Sequence, residues 1–168
     1  MKPLVSIIMG STSDLPVMEK ACKWLDDNKI PFEVNALSAH RTPDAVEAFA
    51  KGAQERGIKV IIAAAGMAAA LPGVIAASTN LPVIGVPIKG MLDGLDAMLS
   101  IIQMPPGIPT ATVGVNAAQN AAILAAQIIG LSDSAVAAKV AAHKAGLGAK
   151  IEKANKDLAE VKYNFKTN

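Results

Sequence analysis

Short runs of β-branched and small apolar residues recur along this chain, and each is followed within a few residues by a segment whose apolar side chains fall at three- and four-residue spacing. The runs are Leu4 to Met9, Ile30 to Leu37, Val60 to Ala64, Pro82 to Val86 and Thr112 to Val115. Leu4 to Met9 and Val60 to Ala64 are apolar nearly throughout, the pattern of a strand covered on both faces rather than one with a wet side. Strands that alternate with helices through short connections form a parallel sheet with right-handed crossovers. The expected fold is therefore α/β in three layers, a flavodoxin-like doubly wound parallel sheet in the strand order 2-1-3-4-5.

The helical segments fill the gaps. After the first run, Val17, Ala21, Trp24 and Leu25 mark one face, with Glu19, Lys20, Lys23, Asp26 and Asp27 opposite. Asp44 to Arg56 places Val46, Phe49, Ala50 and Ala53 inward and stops at Gly57. A short helix reaches about Ser78, and others span Asp93 to Ile101 and Ala117 to Ile129, while the proline-rich loop Gln103 to Pro109 fits neither period. Beyond Asp133 an Ala- and Lys-rich helix, interrupted by Gly146 and Gly148, has no strand to return to. The chain is expected to form one domain over residues 1–168, with residues 132–168 a helical extension that reaches a neighbouring subunit. His143 in that extension, near Lys139 and Lys144, is expected to be solvated or interfacial rather than catalytic.

Composition narrows the partners. With 52% hydrophobic but only 3% aromatic residues, the core must be built from Ala, Val, Ile, Leu and Met. A mean hydropathy of +0.37 favours some apolar surface buried between protomers. A net charge of +2, with 16 basic and 14 acidic residues interspersed, argues against nucleic acid as a partner. The one cysteine, Cys22, excludes an internal disulfide and fits a reducing, cytoplasmic setting; inside a helix beside Ala21 and Trp24 it reads as a small hydrophobe. The first nine residues read as strand rather than leader, and no apolar run approaches the roughly 20 residues of a membrane span.

In a parallel sheet the turns after strands one, two and three emerge at one edge. The first, Gly10-Ser11-Thr12-Ser13-Asp14, sets hydroxyls and main-chain N–H groups at a helix N-terminus, an anion-friendly arrangement in which Asp14 either caps the helix or meets a sugar hydroxyl. It is neither a Walker loop nor Gly-x-Gly-x-x-Gly. The second, Ser38-Ala39-His40-Arg41-Thr42-Pro43, offers an imidazole that titrates near neutrality and a guanidinium suited to phosphate or carboxylate. Thr42, Pro43 and Asp44 also form an ordinary helix opening, with Thr42 as N-cap; that leaves Ser38, His40 and Arg41 unexplained. The third, Ala65 to Gly73, brings glycines at 66 and 73 for close backbone approach or for tight helix packing. This edge has too few suitable ligands for zinc, and neither a nucleophile elbow nor an acidic orienter for a serine hydrolase. Proton transfer by His40 on a small phosphorylated molecule remains.

The ordered set of Gly10-Ser11-x-Ser13-Asp14, Ser38-Ala39-His40-Arg41-Thr42-Pro43, Ala65-Gly66 through Leu71-Pro72-Gly73, and Gln103-Met104-Pro-x-Gly107-Ile108-Pro109 closely resembles the class I N5-carboxyaminoimidazole ribonucleotide mutases of purine biosynthesis, the PurE family. The resemblance covers about residues 4 to 130. It implies a cytoplasmic homo-octamer, no metal or cofactor, a ribonucleotide substrate, and a carboxyl shift from N5 to ring carbon C4. It also implies His40 as the catalytic acid/base; Ser11, Ser13 and Asp14 in the first substrate loop, Asp14 on the ribose; and Ser38, Ala39 and Arg41 in the second, with Ser38 and Arg41 near the phosphate. Ala65, Gly66 and Leu71 would line the carboxylate pocket. The family usually carries histidine before Leu-Pro-Gly, where this chain has Ala70, so a polar contact to the carboxylate or ring is missing. Class II relatives, which carboxylate aminoimidazole ribonucleotide with CO2 directly, also lack that histidine but favour lysine where Arg41 stands. A direct carboxylase and a non-catalytic phosphosugar-binding domain are the alternatives.

Overall fold

The computed structural model describes residues 2–168; Met1 lies outside the described residues. Five parallel strands, β1 (Val5–Met9), β2 (Phe32–Ala36), β3 (Val60–Gly66), β4 (Val83–Ile88) and β5 (Ala111–Thr112), form one sheet in the order β2-β1-β3-β4-β5. The alternation of strand and helix thus yields the expected doubly wound sheet. Helices α1 (Leu15–Asp27) and α5 (Ala118–Gly130) cover one face, and α2 (Pro43–Gly52), α3 (Leu71–Ser78) and α4 (Leu95–Ile102) cover the other.

The period-two geometry of a strand sends alternate side chains to opposite layers. Val5, Ile7 and Met9 join the layer under α1 and α5, while Ile8 joins the layer under α2, α3 and α4; β3 divides in the same way, Ile62 and Ala64 against Ile61 and Ala63. Small residues set the spacing. Ala118, Ala121, Ala122, Ala125 and Ala126 are fully buried on α5, so that helix lies close to the sheet and to α1. Ser6, the buried polar residue of the sheet, donates its hydroxyl to Glu33 on β2 at 3.0 Å, and Glu33 in turn pairs with Arg56 at 3.3 Å.

Several boundaries differ from the sequence reading by a few residues, and three of them lie near left-handed backbone. The second helix stops at Gly52 rather than Arg56, and the residues after it turn into Gly57 at φ 99°. The fourth starts at Leu95 rather than Asp93, because Leu92, Asp93 and Gly94 all hold left-handed backbone, at φ 47°, 55° and 89°. The fifth strand covers Ala111–Thr112 rather than Thr112 to Val115, and beyond it the chain turns through Asn116 at φ 57°.

The C-terminal helix α6 (Ser134–Ala159) departs further. It is continuous over 26 residues through Gly146 and Gly148. Each exposed glycine costs a helix only about 1 kcal/mol relative to alanine, too little to break a long run of good helix formers. Asp133 caps the helix through Ala135 and Val136 N–H, and its first half packs on this chain's own α5. His143 is half-buried and has a partner within the chain: Trp24 Nε1–H donates to its Nδ1 at 3.2 Å, and the two rings meet edge to face at 5.4 Å. A sequence separation of 119 residues hid that partner. Cys22 is half-buried against the same layer, and burial pushes its thiol pKa up, away from nucleophilic use. No helix among the described residues is long and apolar enough to cross a membrane.

Gly85 on β4 tests how tightly α4 seats on the sheet. A Cβ there would overlap Ile101 Cγ2. Gly85→Ala is expected to lower stability by about 1–3 kcal/mol in urea denaturation. Combined with Ile101→Ala, it should cost less than the sum of the two single changes, because both act on one contact.

Candidate active site

The parallel register brings the carboxyl ends of β1, β2, β3 and β4 to one rim, with Met9 beside Ala36 and Ala64, and Gly66 beside Ile88. A cavity of about 490 Å³ opens there, within the range of small-molecule sites. Ser11, Ser13, Asp14, Ser38, Ala39, His40, Arg41, Ala65, Gly66 and Leu71 all line it.

In the first turn the cap falls to Ser11, whose hydroxyl accepts from Ser13 N–H at 3.3 Å and opens a short 3-10 turn over Thr12–Asp14. Asp14 therefore stands at the start of α1 without making a side-chain cap, which corrects the capping alternative. Its carboxylate takes a hydrogen bond from the Ser13 hydroxyl at 3.4 Å and otherwise faces the cavity residues. Burial raises its pKa above the ordinary carboxylate value, a rise partly offset by hydrogen bonds from the Ser13 side chain and the Ser11 backbone.

The second turn is closed by its own side chains. Thr42 makes no N-cap bond to α2; its hydroxyl accepts from Ser38 N–H at 3.0 Å and donates to Ser38 O at 3.1 Å. That corrects the expectation of Thr42 as helix cap: the hydroxyl pins the loop, not the helix. Ser38 Oγ accepts from Arg41 N–H at 3.2 Å and from Arg41 Nε at 3.4 Å, and Arg41 Nη2 donates to Gly10 O at 2.8 Å. Arg41 thus bridges the first and second turns. His40 sits between these fixed points, exposed, with no hydrogen bond to another protein group among the described residues.

The third turn splits between its two readings. Gly66 lines the cavity, whereas Gly73 lies inside α3 with Met104 Sδ 3.1 Å from where its Cβ would be, so Gly73 serves packing. Met67, at φ 55°, bends the chain out of β3 and stands exposed on the rim. The turn after β4 also reaches the cavity, through Ile88, Lys89 and Gly90, none of which the motif reading picked out. The signal was available: in a parallel sheet the fourth strand ends at the same rim as the first three. Among the described residues no three His, Cys, Asp or Glu side chains cluster as metal ligands.

The fold and this rim define a doubly wound α/β protein with a small-molecule cavity at the carboxyl ends of its strands. More narrowly, the chain belongs to the AIR carboxylase family, whose model matches residues 4–150. It is 53% identical over 161 residues to the N5-carboxyaminoimidazole ribonucleotide mutase of Pyrococcus horikoshii, covering 95% of this chain and 91% of that protein. It is 51% identical over 162 residues to the mutase of Thermotoga maritima, covering 96% and 95%. Against the phosphoribosylaminoimidazole carboxylase of Saccharomyces cerevisiae identity is 59% over 140 residues, 83% of this chain but only 24% of that longer protein. The crystal structure of Treponema denticola PurE superposes with a TM-score of 0.83 at 32% identity, covering 93% of this chain and 98% of that one.

Removing the Asp14 charge gives a pH test. A carboxyl whose pKa is raised on folding favours the native state below its unfolded value of 3.8 and opposes it increasingly as pH rises through the raised folded value. Asp14→Asn should therefore melt slightly higher than the parent at neutral pH and lose that advantage as pH falls through the carboxylate range. Thermal melts at stepped pH check the sign.

Proposed function

We propose that this chain is an N5-carboxyaminoimidazole ribonucleotide mutase of purine biosynthesis, with His40 as its acid/base. The observation that carries the reading is the uncommitted imidazole of His40 in the one cavity where the first, second and third turns meet. The identity to named mutases over nearly the whole chain supports it.

The reaction asks little of side chains. The N5–carboxyl bond breaks, its electrons return to nitrogen, and His40 supplies the proton as CO2 departs. Ring carbon C4 then attacks the retained CO2, and His40 takes the proton that C4 must lose, so the imidazole ends as it began. Holding CO2 beside the ring makes recapture effectively intramolecular. Ser11, Ser13 and Asp14 engage the ribose, Ser38, Ala39 and Arg41 the phosphate end, and Ala65, Gly66 and Leu71 the carboxylate through main-chain groups. Neither a metal nor a cofactor is needed for these steps. Ala70 at the start of α3 offers this carboxylate no side-chain donor, so affinity rests more on the backbone.

His40→Asn should reduce kcat by roughly 10²- to 10⁴-fold while ribotide binding, read by calorimetry, changes little. Supplying aminoimidazole ribonucleotide with bicarbonate in place of the N5-carboxylated substrate separates the mutase from a direct carboxylase. Product formed only from the bicarbonate mixture would overturn the mutase assignment; full turnover by His40→Asn would remove His40 from the acid/base role, and a parent that binds the ribotide without turnover would be a binding domain.

We also propose that the chain works in the cytoplasm as a homo-oligomer, by family precedent an octamer, and that residues 132–168 help to build it. The far half of α6 supports this: Leu147, Ile151 and Leu158 form an exposed apolar stripe at helical spacing, followed by exposed Tyr163 and Phe165. A second copy of the chain would cover them. Ending the chain after Gly146 should leave the melting temperature of the domain nearly unchanged and lower the assembly size in sedimentation.

A further inference from the structure

We propose that Lys89, on the turn after β4, binds the migrating carboxylate of the substrate, and that Asp93 holds its ammonium until substrate arrives; the proposal rests on the mutase reading above. Among the described residues, Lys89 and Arg41 are the lysine and arginine that line the cavity. Arg41 is largely committed, with Nη2 on Gly10 O at 2.8 Å and Nε on Ser38 Oγ at 3.4 Å. The substrate carries two anionic groups, a phosphate on the ribose and a carboxylate on the heterocycle, and the cavity already contains the Asp14 carboxylate. One partly occupied guanidinium does not balance them.

The strand order separates the two cations in the required way. Arg41 follows β2 and Lys89 follows β4, with β1 and β3 between them. They stand at opposite ends of the rim, as phosphate and carboxylate stand at opposite ends of the ribotide. Lys89 follows Ile88, whose register partner is Gly66 of the third turn, so it adjoins the end assigned to the carboxylate.

The local backbone fits a held but exchangeable cation. Lys89 N–H donates to Asn116 Oδ1 at 2.9 Å, fixing the root of the side chain. Its Nζ pairs with Asp93 Oδ1 at 3.0 Å, with the two side chains 59% and 88% exposed. A pair so open to water is weak and readily exchanged for a better anion. Asp93 reaches this place only through consecutive left-handed residues, Leu92 at φ 47° and Asp93 at φ 55°, and Leu92 is 73% exposed, so packing does not account for the strained backbone. Strain kept without burial marks a segment shaped for its side-chain placement.

Steady-state kinetics and calorimetry on the 168-residue chain decide the matter. With the N5-carboxylated ribotide, Lys89→Met should raise KM about tenfold, and Lys89→Arg should restore most of the loss. Asp93→Asn should act oppositely, lowering KM severalfold; asparagine tolerates left-handed backbone, so the loop is kept and the competing charge is removed. In calorimetry Lys89→Met should weaken binding of the C4-carboxylated ribotide and leave binding of aminoimidazole ribonucleotide, which lacks the carboxylate, unchanged. Equal weakening of both ligands, or unchanged affinity for the carboxylated one, would overturn the proposal. If the parent protein does not turn over the N5-carboxylated substrate, the mutase reading fails instead, and the two-ligand comparison still judges Lys89.

Discussion

Burial of the central strands on both faces is the constraint from which the rest follows. Every residue of β1 and β4, and all of β3 but its final glycine, is buried. Their backbones are satisfied by the parallel ladder and their side chains by two apolar layers, so the sheet interior has no room for chemistry. Ser6 shows the condition for an exception: it is tolerated because Glu33 accepts a hydrogen bond from its hydroxyl and Arg56 balances Glu33. Polar function is displaced to the strand ends, and a parallel sheet collects those ends at one rim.

Small residues decide how close the layers come. The alanines of α5 bring that helix near the sheet, and Gly85 lets Pro72 and Ile101 approach β4 from the other side. Helices seated this firmly hold the turns that precede them. A rim cavity among such turns has a shape fixed by the apolar core rather than by its own few polar contacts, which suits a reaction whose main demand is to retain a small neutral intermediate beside a ring.

Much of this was legible because it is periodic. The apolar runs of β1 and β3 and the helical spacing of Val17, Ala21 and Trp24 announce element type directly, and strand order follows from short connections and handedness. Three site turns could be named from glycine and hydroxyl content at strand ends. What escaped was not periodic. The positive φ angles at Leu92 and Asp93, just ahead of α4, and at Asn116, beyond β5, belong to residues that carry no glycine signature. The contact between Trp24 and His143 spans 119 positions and obeys no local pattern. Lys89 was passed over because its turn lacks the glycine-serine character of the others, although topology alone brings it to the rim.

Sequence also misassigned hydroxyls, and the error is instructive about how the site is organised. Thr42 has the standing of a helix cap and Asp14 that of a possible one, yet neither caps: Thr42 clamps Ser38, and Ser11 relieves Asp14 of the duty. Ser38 in turn orients Arg41, and Arg41 ties the second turn to Gly10 of the first. The groups around His40 are thus bound to one another and fix the loop, while the imidazole has none of these bonds. The acid/base role proposed for His40 needs one ring nitrogen free to exchange protons, and among the described residues no protein partner competes for either. Rigidity supplied by its neighbours fixes the turn that carries His40 and leaves the ring itself uncommitted, which is what the proposed role asks of this position.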